Sequence, residues 1–306
     1  MRVIDIDNIL GNMRDQLTFV MRCEEVFHDK IGSAAVQIIS SGKRTVLLSG
    51  PSGSGKTTTA NRIRSYLENL GVPVIMLSMD NFFFPLAERP PEAEDWESPY
   101  CVNFNRLRAC IESLKEGKET EIPIYDFKTG TSHETMTMQG DKNAVVIIEG
   151  IHALNPMMVD EIKDQMIGVY VTPRTRVVTR DDKIVTPERI RVARRMVRDF
   201  NTRGYALRDT VMRAESVDAG EIRYIKPFKY NAAIHIDTFH DYELCIISRY
   251  LKEIPDFNNQ LDQPFIEEYG LTELFKVVRE IPPLTTPFVP KDSIIREFVG
   301  GSIYYK

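Results

Sequence analysis

Eight residues, Gly50–Thr57, read GPSGSGKT and fit the spacing G-x-x-x-x-G-K-[ST]. Glycines at this spacing let successive backbone N–H groups turn into an anion-sized hollow at a helix N-terminus. Lys56 is then set to bridge the β- and γ-phosphates of a nucleoside triphosphate, and the Thr57 hydroxyl to ligate Mg²⁺. The loop and the helix start behind it, Gly50, Ser52, Gly53, Ser54, Gly55, Lys56, Thr57 and Thr58, form the candidate triphosphate site.

Such a loop serves motors, switches and phosphotransferases alike, so other residues must choose among them. No guanine-reading N-K-x-D occurs. The apolar run AVVIIEG ends in Glu149 followed by glycine, not in the Asp-Glu pair usual of motors and transporters, and a single acid there suits a carboxylate reaching the Mg²⁺ shell through water. A second run, VIMLSMDNFFFP, carries a strand straight into Asp80. Strand carboxyl ends are where open α/β sheets bind ligands, and a carboxylate there can accept the proton of an attacking hydroxyl. Of Phe82, Phe83 and Phe84, at most one is expected to face a substrate and the others to be core. A cationic partner lies in TPERIRVARRMVRDFNTRG. Ile190, Ala193, Met196, Val197 and Phe200 fall on one side of the expected helix, and Arg191, Arg194, Arg195 and Arg198 recur on the other, with Arg203 just beyond. Four guanidiniums with no acid among them read as an anion-binding lid.

A sheet and helices must bring these groups together. Short apolar runs (TVLLSG, VPVIMLSMD, AVVIIEG, IGVYVTP, AAIHIDT) alternate with helical stretches near 57–70, 105–116, 156–165, 187–203 and 242–254, the pattern of a largely parallel sheet covered by helices. Residues 1–43 read as a helical lead-in with Leu17, Val20, Met21 and Phe27 along one face, residues 44–252 as the kinase domain, and residues 253–306 as a Pro-rich extension with a helix near 267–280. The tail IPPLTTPFVPKDSIIREFVGGSIYYK carries no assignable chemistry. The 306 residues are 42% hydrophobic with a formal net charge of −5, which argues against broad nucleic-acid binding. Four scattered cysteines without a CxxC suggest neither disulfides nor zinc, no run spans a bilayer, and the acidic N-terminus is unlike a signal peptide; a cytoplasmic protein is expected.

The glycine loop, MDNFF, EIPIYDFKTG, VVIIEGIHAL and RRMVRDFNTRG, in this order, resemble the uridine kinase branch of the phosphoribulokinase/uridine kinase family of P-loop kinases, over about residues 44–251. The likeness extends toward the kinase part of bacterial proteins with a threonyl-tRNA-synthetase-like segment ahead of a uridine-kinase-like region, whose tails also look like SIIREFVGGS. The resemblance implies a P-loop α/β three-layer sandwich with an Arg-bearing lid, using ATP and Mg²⁺. It implies Asp80 as base toward a ribose 5′-hydroxyl, Tyr125 and Phe127 beside a nucleobase, Arg195 near the ribose, and Arg198 and Arg203 at the ATP phosphates. Phe83, Glu97, Gly130 and Tyr205 stand where uridine-cytidine kinases have tyrosine, aspartate, a base-reading histidine and arginine. Phe83 and Glu97 join the candidate substrate-binding set. Uridine or cytidine is the first-choice acceptor. A nucleoside monophosphate or phosphosugar is the alternative within the family, and an ATP-binding regulator without turnover the alternative outside it. The oligomeric state stays open.

Overall fold

The computed structural model describes residues 2–255 and 257–304. Its centre is a five-stranded sheet formed by β1 (Thr45–Ser49), β2 (Val74–Ser78), β3 (Val145–Glu149), β4 (Met166–Thr172) and β5 (Ile234–Asp237), all parallel, in the spatial order β5-β4-β1-β3-β2. Strands covered on both faces must be apolar at consecutive positions, and β1 and β3 are buried throughout. Their side chains divide by parity. Val46, Leu48, Val145, Ile147, Val169 and Ile236 enter one hydrophobic cluster, while Leu47, Leu77, Val146, Ile148 and Tyr170 enter the other.

On the first face lie α1 (Gln16–Ser40) and α2 (Lys56–Asn69), followed by α3 (Pro187–Arg203), α4 (Leu207–Tyr224), α5 (Glu243–Glu253) and α6 (Thr272–Glu280). This cluster runs from Ile4 to Val299, so residues from both ends of the described chain share it with the central sheet. The second face is covered by the helix Phe104–Lys115, capped by the Asn103 side chain on the Arg106 amide at 3.0 Å, and by residues of an antiparallel hairpin, Glu119–Asp126 with Thr131–Gln139. The result is the three-layer sandwich expected from the alternation of runs.

Several local expectations give way. The hairpin was not foreseen: its second strand, TSHETMTMQ, is largely solvent-exposed and polar, and shows no apolar alternation to read. A short strand Val3–Asp5 precedes the first helix and pairs with Arg176–Val178. On α1 the expected Val20 and Phe27 are buried, together with Phe19, Ile31, Ala34, Ala35 and Ile38, whereas Leu17 and Met21 face outward. Pro156–Val159 forms only one turn of the expected 156–165 helix. The expected 267–280 helix is two pieces, Gln263–Glu268 and α6, separated at Gly270, whose φ of +60° ends the first. Among the described residues no helix is long and apolar enough to cross a membrane.

Candidate active site

The phosphate loop leaves the carboxyl end of β1 and delivers Lys56 as the first residue of α2. Its carbonyl side is tied down from outside: Arg194 Nη1 donates to the Gly53 and Ser54 carbonyls at 3.2 and 3.4 Å, Thr238 Oγ1 to Ser54 at 2.8 Å, and Arg191 Nη1 to Ser52 at 3.4 Å. Inside the loop the Ser54 hydroxyl is buried without a partner. Gly55 has φ +87°, and Ile294 lies where a Cβ would be built, so the turn requires glycine twice over.

Lys56, Thr57, Asp80, Glu149, Phe83, Glu97, Phe127, Arg198 and Arg203 line one cleft of about 780 Å³, with Ser52 and Gly53 at the loop. Asp80 follows β2 in a single 3₁₀ turn, and Glu149 ends β3 one strand over. Gly150 makes room for Met79, letting these two strand ends approach. Glu149 Oε1 accepts from the Ser78 hydroxyl at 2.9 Å. Its pKa is pushed up to about 7, by burial and then by the Asp80 charge, against the pull of Lys56. Asp80 is open to the cleft yet flanked by protein, and loss of bulk water raises its pKa while Lys56 and Arg203 oppose the rise. Glu97 is likewise raised to about 7, chiefly by burial, and its Oε2 has no partner.

Gly50, Ser54, Gly55 and Thr58 sit behind the cleft wall as the buried frame of the loop. Tyr125 is buried against Phe83 and Phe127, with centroids 5.6 and 4.8 Å away. Arg195 lies beneath Gly53, its Nη2 unpartnered and its pKa lowered to about 10 by burial.

The arginine face of α3 needs correction. Expected to offer four guanidiniums to an anion, it is largely enclosed by protein: Arg191, Arg194 and Arg195 are 2%, 0% and 3% exposed. Acids from other elements enter between the guanidiniums. Arg194 Nη2 pairs with Glu243 of α5 at 2.7 Å, and Arg191 pairs with Glu221 of α4. Asp199 of α3 itself accepts from Arg198 at 2.8 Å and Arg203 at 3.3 Å. Two of the five arginines are thus framework, and Arg198 and Arg203 reach the cleft.

Sequence reading also missed residues. Trp96, the one tryptophan of the chain, stacks near Phe83 with ring centroids 6.4 Å apart, and the Arg89 guanidinium lies 3.9 Å from the centre of its ring. Its position next to Glu97 was an available signal. Arg296, Glu297 and Gly300 of the tail line the same cleft, for which the local sequence held none.

A phosphate loop at the head of a central parallel strand, two strand-end acids beside it and an arginine helix across it define the P-loop kinase fold. A presumed fructose transport system kinase from Silicibacter sp. TM1040 shares this fold, with TM-score 0.52 and 20% identity over 67% of this chain and 98% of that one. The chain belongs to the phosphoribulokinase/uridine kinase family, whose model matches residues 46–244. It is 30% identical over 193 residues to the uridine kinase of Brevibacillus brevis, covering 62% of this chain and 82% of that protein. It is 32% identical over 207 residues to the uridine kinase of Saccharomyces cerevisiae, covering 63% of this chain and 36% of that protein. The chain therefore spans about a third of the length of the yeast relative it matches.

Proposed function

We propose that this chain transfers the γ-phosphoryl group of ATP to the hydroxyl of a nucleoside, with uridine or cytidine giving the 5′-monophosphate. The observation that carries the reading is the meeting, in one cleft, of Lys56, Asp80 and an aromatic wall of Phe83, Trp96 and Phe127. Ser52, Gly53, Lys56 and Thr57 face this cleft at the start of α2, where unpaired helix amides and a lysine fit an anion. Two neighbouring strand-end carboxyls, Asp80 raised by burial and Glu149 by burial and then by the Asp80 charge, fit a cation beside them. Among the described residues there is no group of three or more His, Cys, Asp or Glu able to hold a metal ion, and Mg²⁺ is commonly held by one or two carboxylates together with substrate phosphates.

In this reading Thr57 and Glu149 would hold Mg²⁺, which would supply positive charge to offset that of the triphosphate. Lys56 and the loop amides hold the triphosphate, while Arg198 and Arg203, steadied by Asp199, meet charge on the transferring group. Asp80 accepts the proton of the attacking hydroxyl. Glu97 and Arg195 hold the sugar, and the ring of the base rests on Phe83 and Phe127 with Tyr125 behind them.

One observation favours a phosphorylated acceptor as a second reading. Arg89 Nε and Nη2 and Arg195 Nη2 lack partners, and Gly130 offers no side chain to read a pyrimidine. Labelled ATP with uridine, cytidine, thymidine, nucleoside monophosphates and phosphosugars separates the readings. Product from uridine or cytidine supports the first and product from a phosphorylated acceptor alone the second, while ATP binding with no product from any acceptor leaves a nucleotide-binding regulator.

A further inference from the structure

The tail crosses the mouth of the phosphate loop, and it is anchored there. The Ser293 hydroxyl donates to Glu24 Oε1 at 2.5 Å, the same carboxylate that accepts from Tyr242 at 2.6 Å and from Arg62 of α2 at 3.1 Å. Ile294, Ile295 and Phe298 are buried. Ile294 fills the space over Gly55, and the Phe298 ring lies 4.9 Å from the guanidinium of Arg194, the residue that ties down the loop carbonyls. From this fixed turn, Arg296–Val299, one carboxylate reaches the helix start: Glu297 Oε2 accepts from the Thr58 amide at 3.2 Å and from its hydroxyl at 2.7 Å.

Thr58 is the third residue of α2, and its amide is among the donors a helix leaves unpaired and a phosphate loop offers to anions. Glu297 lines the same cleft as Ser52, Gly53, Lys56 and Thr57, so the carboxylate stands at the edge of the space that faces the loop. We propose that Glu297 is a built-in occupant of the triphosphate cradle, a carboxylate that an ATP phosphate oxygen must displace, so that the C-terminal turn sets nucleotide affinity. This rests on the reading that the loop binds ATP. Carboxylate and phosphate cannot share the two Thr58 donors, since both are acceptors and carry like charge. The neighbouring Ile294 and Phe298 hold the backbone in place, so displacement asks only that the Glu297 side chain rotate.

The test is titration of Mg²⁺-ATP and Mg²⁺-ADP by calorimetry, without acceptor, into wild type, Glu297→Ala and the isosteric Glu297→Gln, with melting temperatures measured beside them. Removing a charge-assisted competitor should tighten ATP and ADP binding by roughly 5- to 30-fold in Glu297→Ala. Glu297→Gln, neutral but still able to accept, should show a smaller gain and keeps the test open if alanine disturbs the turn. Equal or weaker nucleotide binding in folded variants, where wild type binds, would overturn the gate alone. Absence of ATP binding in all three proteins would overturn the reading beneath it.

Discussion

Asp80, Lys56 and Glu149 hold opposite charges in one small space, and their balance decides whether the cleft can do chemistry. Asp80→Asn keeps size and shape but cannot take a proton, so kcat should fall by roughly 10² to 10⁴ while ATP affinity by calorimetry hardly changes. An undiminished kcat would remove Asp80 as the base. Lys56→Ala withdraws a cation from phosphates that stay charged throughout the reaction, and a loss on the order of 10² or more in turnover is expected. Glu97 gives a prediction in pH. Burial raises its pKa from 4.5 to about 7, with Asp95 and Asp80 adding and Lys56 and Arg195 opposing. A carboxyl that binds its proton more tightly when folded favours the folded state most below pH 4.5, and that contribution is lost as pH rises through 7. Melting scans of wild type and Glu97→Gln should therefore diverge across this window, wild type losing ground as pH rises; a constant difference would sink the assignment.

At the scale of elements, α3 is a strut as much as a lid. Arg194 Nε and Nη2 grip both oxygens of Glu243, at 3.0 and 2.7 Å, in a fully buried site, and Nη1 holds the loop carbonyls. Arg194→Ala leaves that acid unpaired, at a cost of about 3–5 kcal/mol, readable in a denaturant titration. Arg198→Ala should weaken turnover with little change in melting temperature, because Arg198 faces the cleft and pairs with the neighbouring Asp199. Collapse of the second variant and tolerance of the first would reverse this division of labour. The hairpin end shows why a base-reading histidine is absent: Gly130 has φ +69°, and Leu86 occupies its Cβ direction. Gly130→His should cost about 1–2 kcal/mol in left-handed backbone strain, and melting under denaturant measures it.

For the whole molecule, burial joins the two ends of the described chain to the central sheet. Glu24 near one end, Ser293 near the other and Tyr242 between them meet around one carboxylate. Alternating runs and the glycine loop were enough to read the sandwich, the loop at the head of its central strand and the acids at two strand ends, because each depends on local spacing: periodicity fixes which face is apolar, and three glycines with a lysine fix a loop. Residues 44–251 carried the family likeness for the same reason. The partners of Arg191 and Arg194 were illegible because Glu221 and Glu243 lie 30 and 49 residues away, so a helix that reads as charged on one face proved enclosed. The exposed hairpin strand had no apolar period to declare it. The tail was opaque on the same grounds: nothing in SIIREFVGGS announces that Glu297 will meet Thr58, 239 residues earlier. Sequence by itself determined which groups stand on the glycine loop and at the strand ends; only tertiary packing decided which arginines line their cleft and which carboxylate meets the start of α2, since those depend on contacts between elements far apart in the chain.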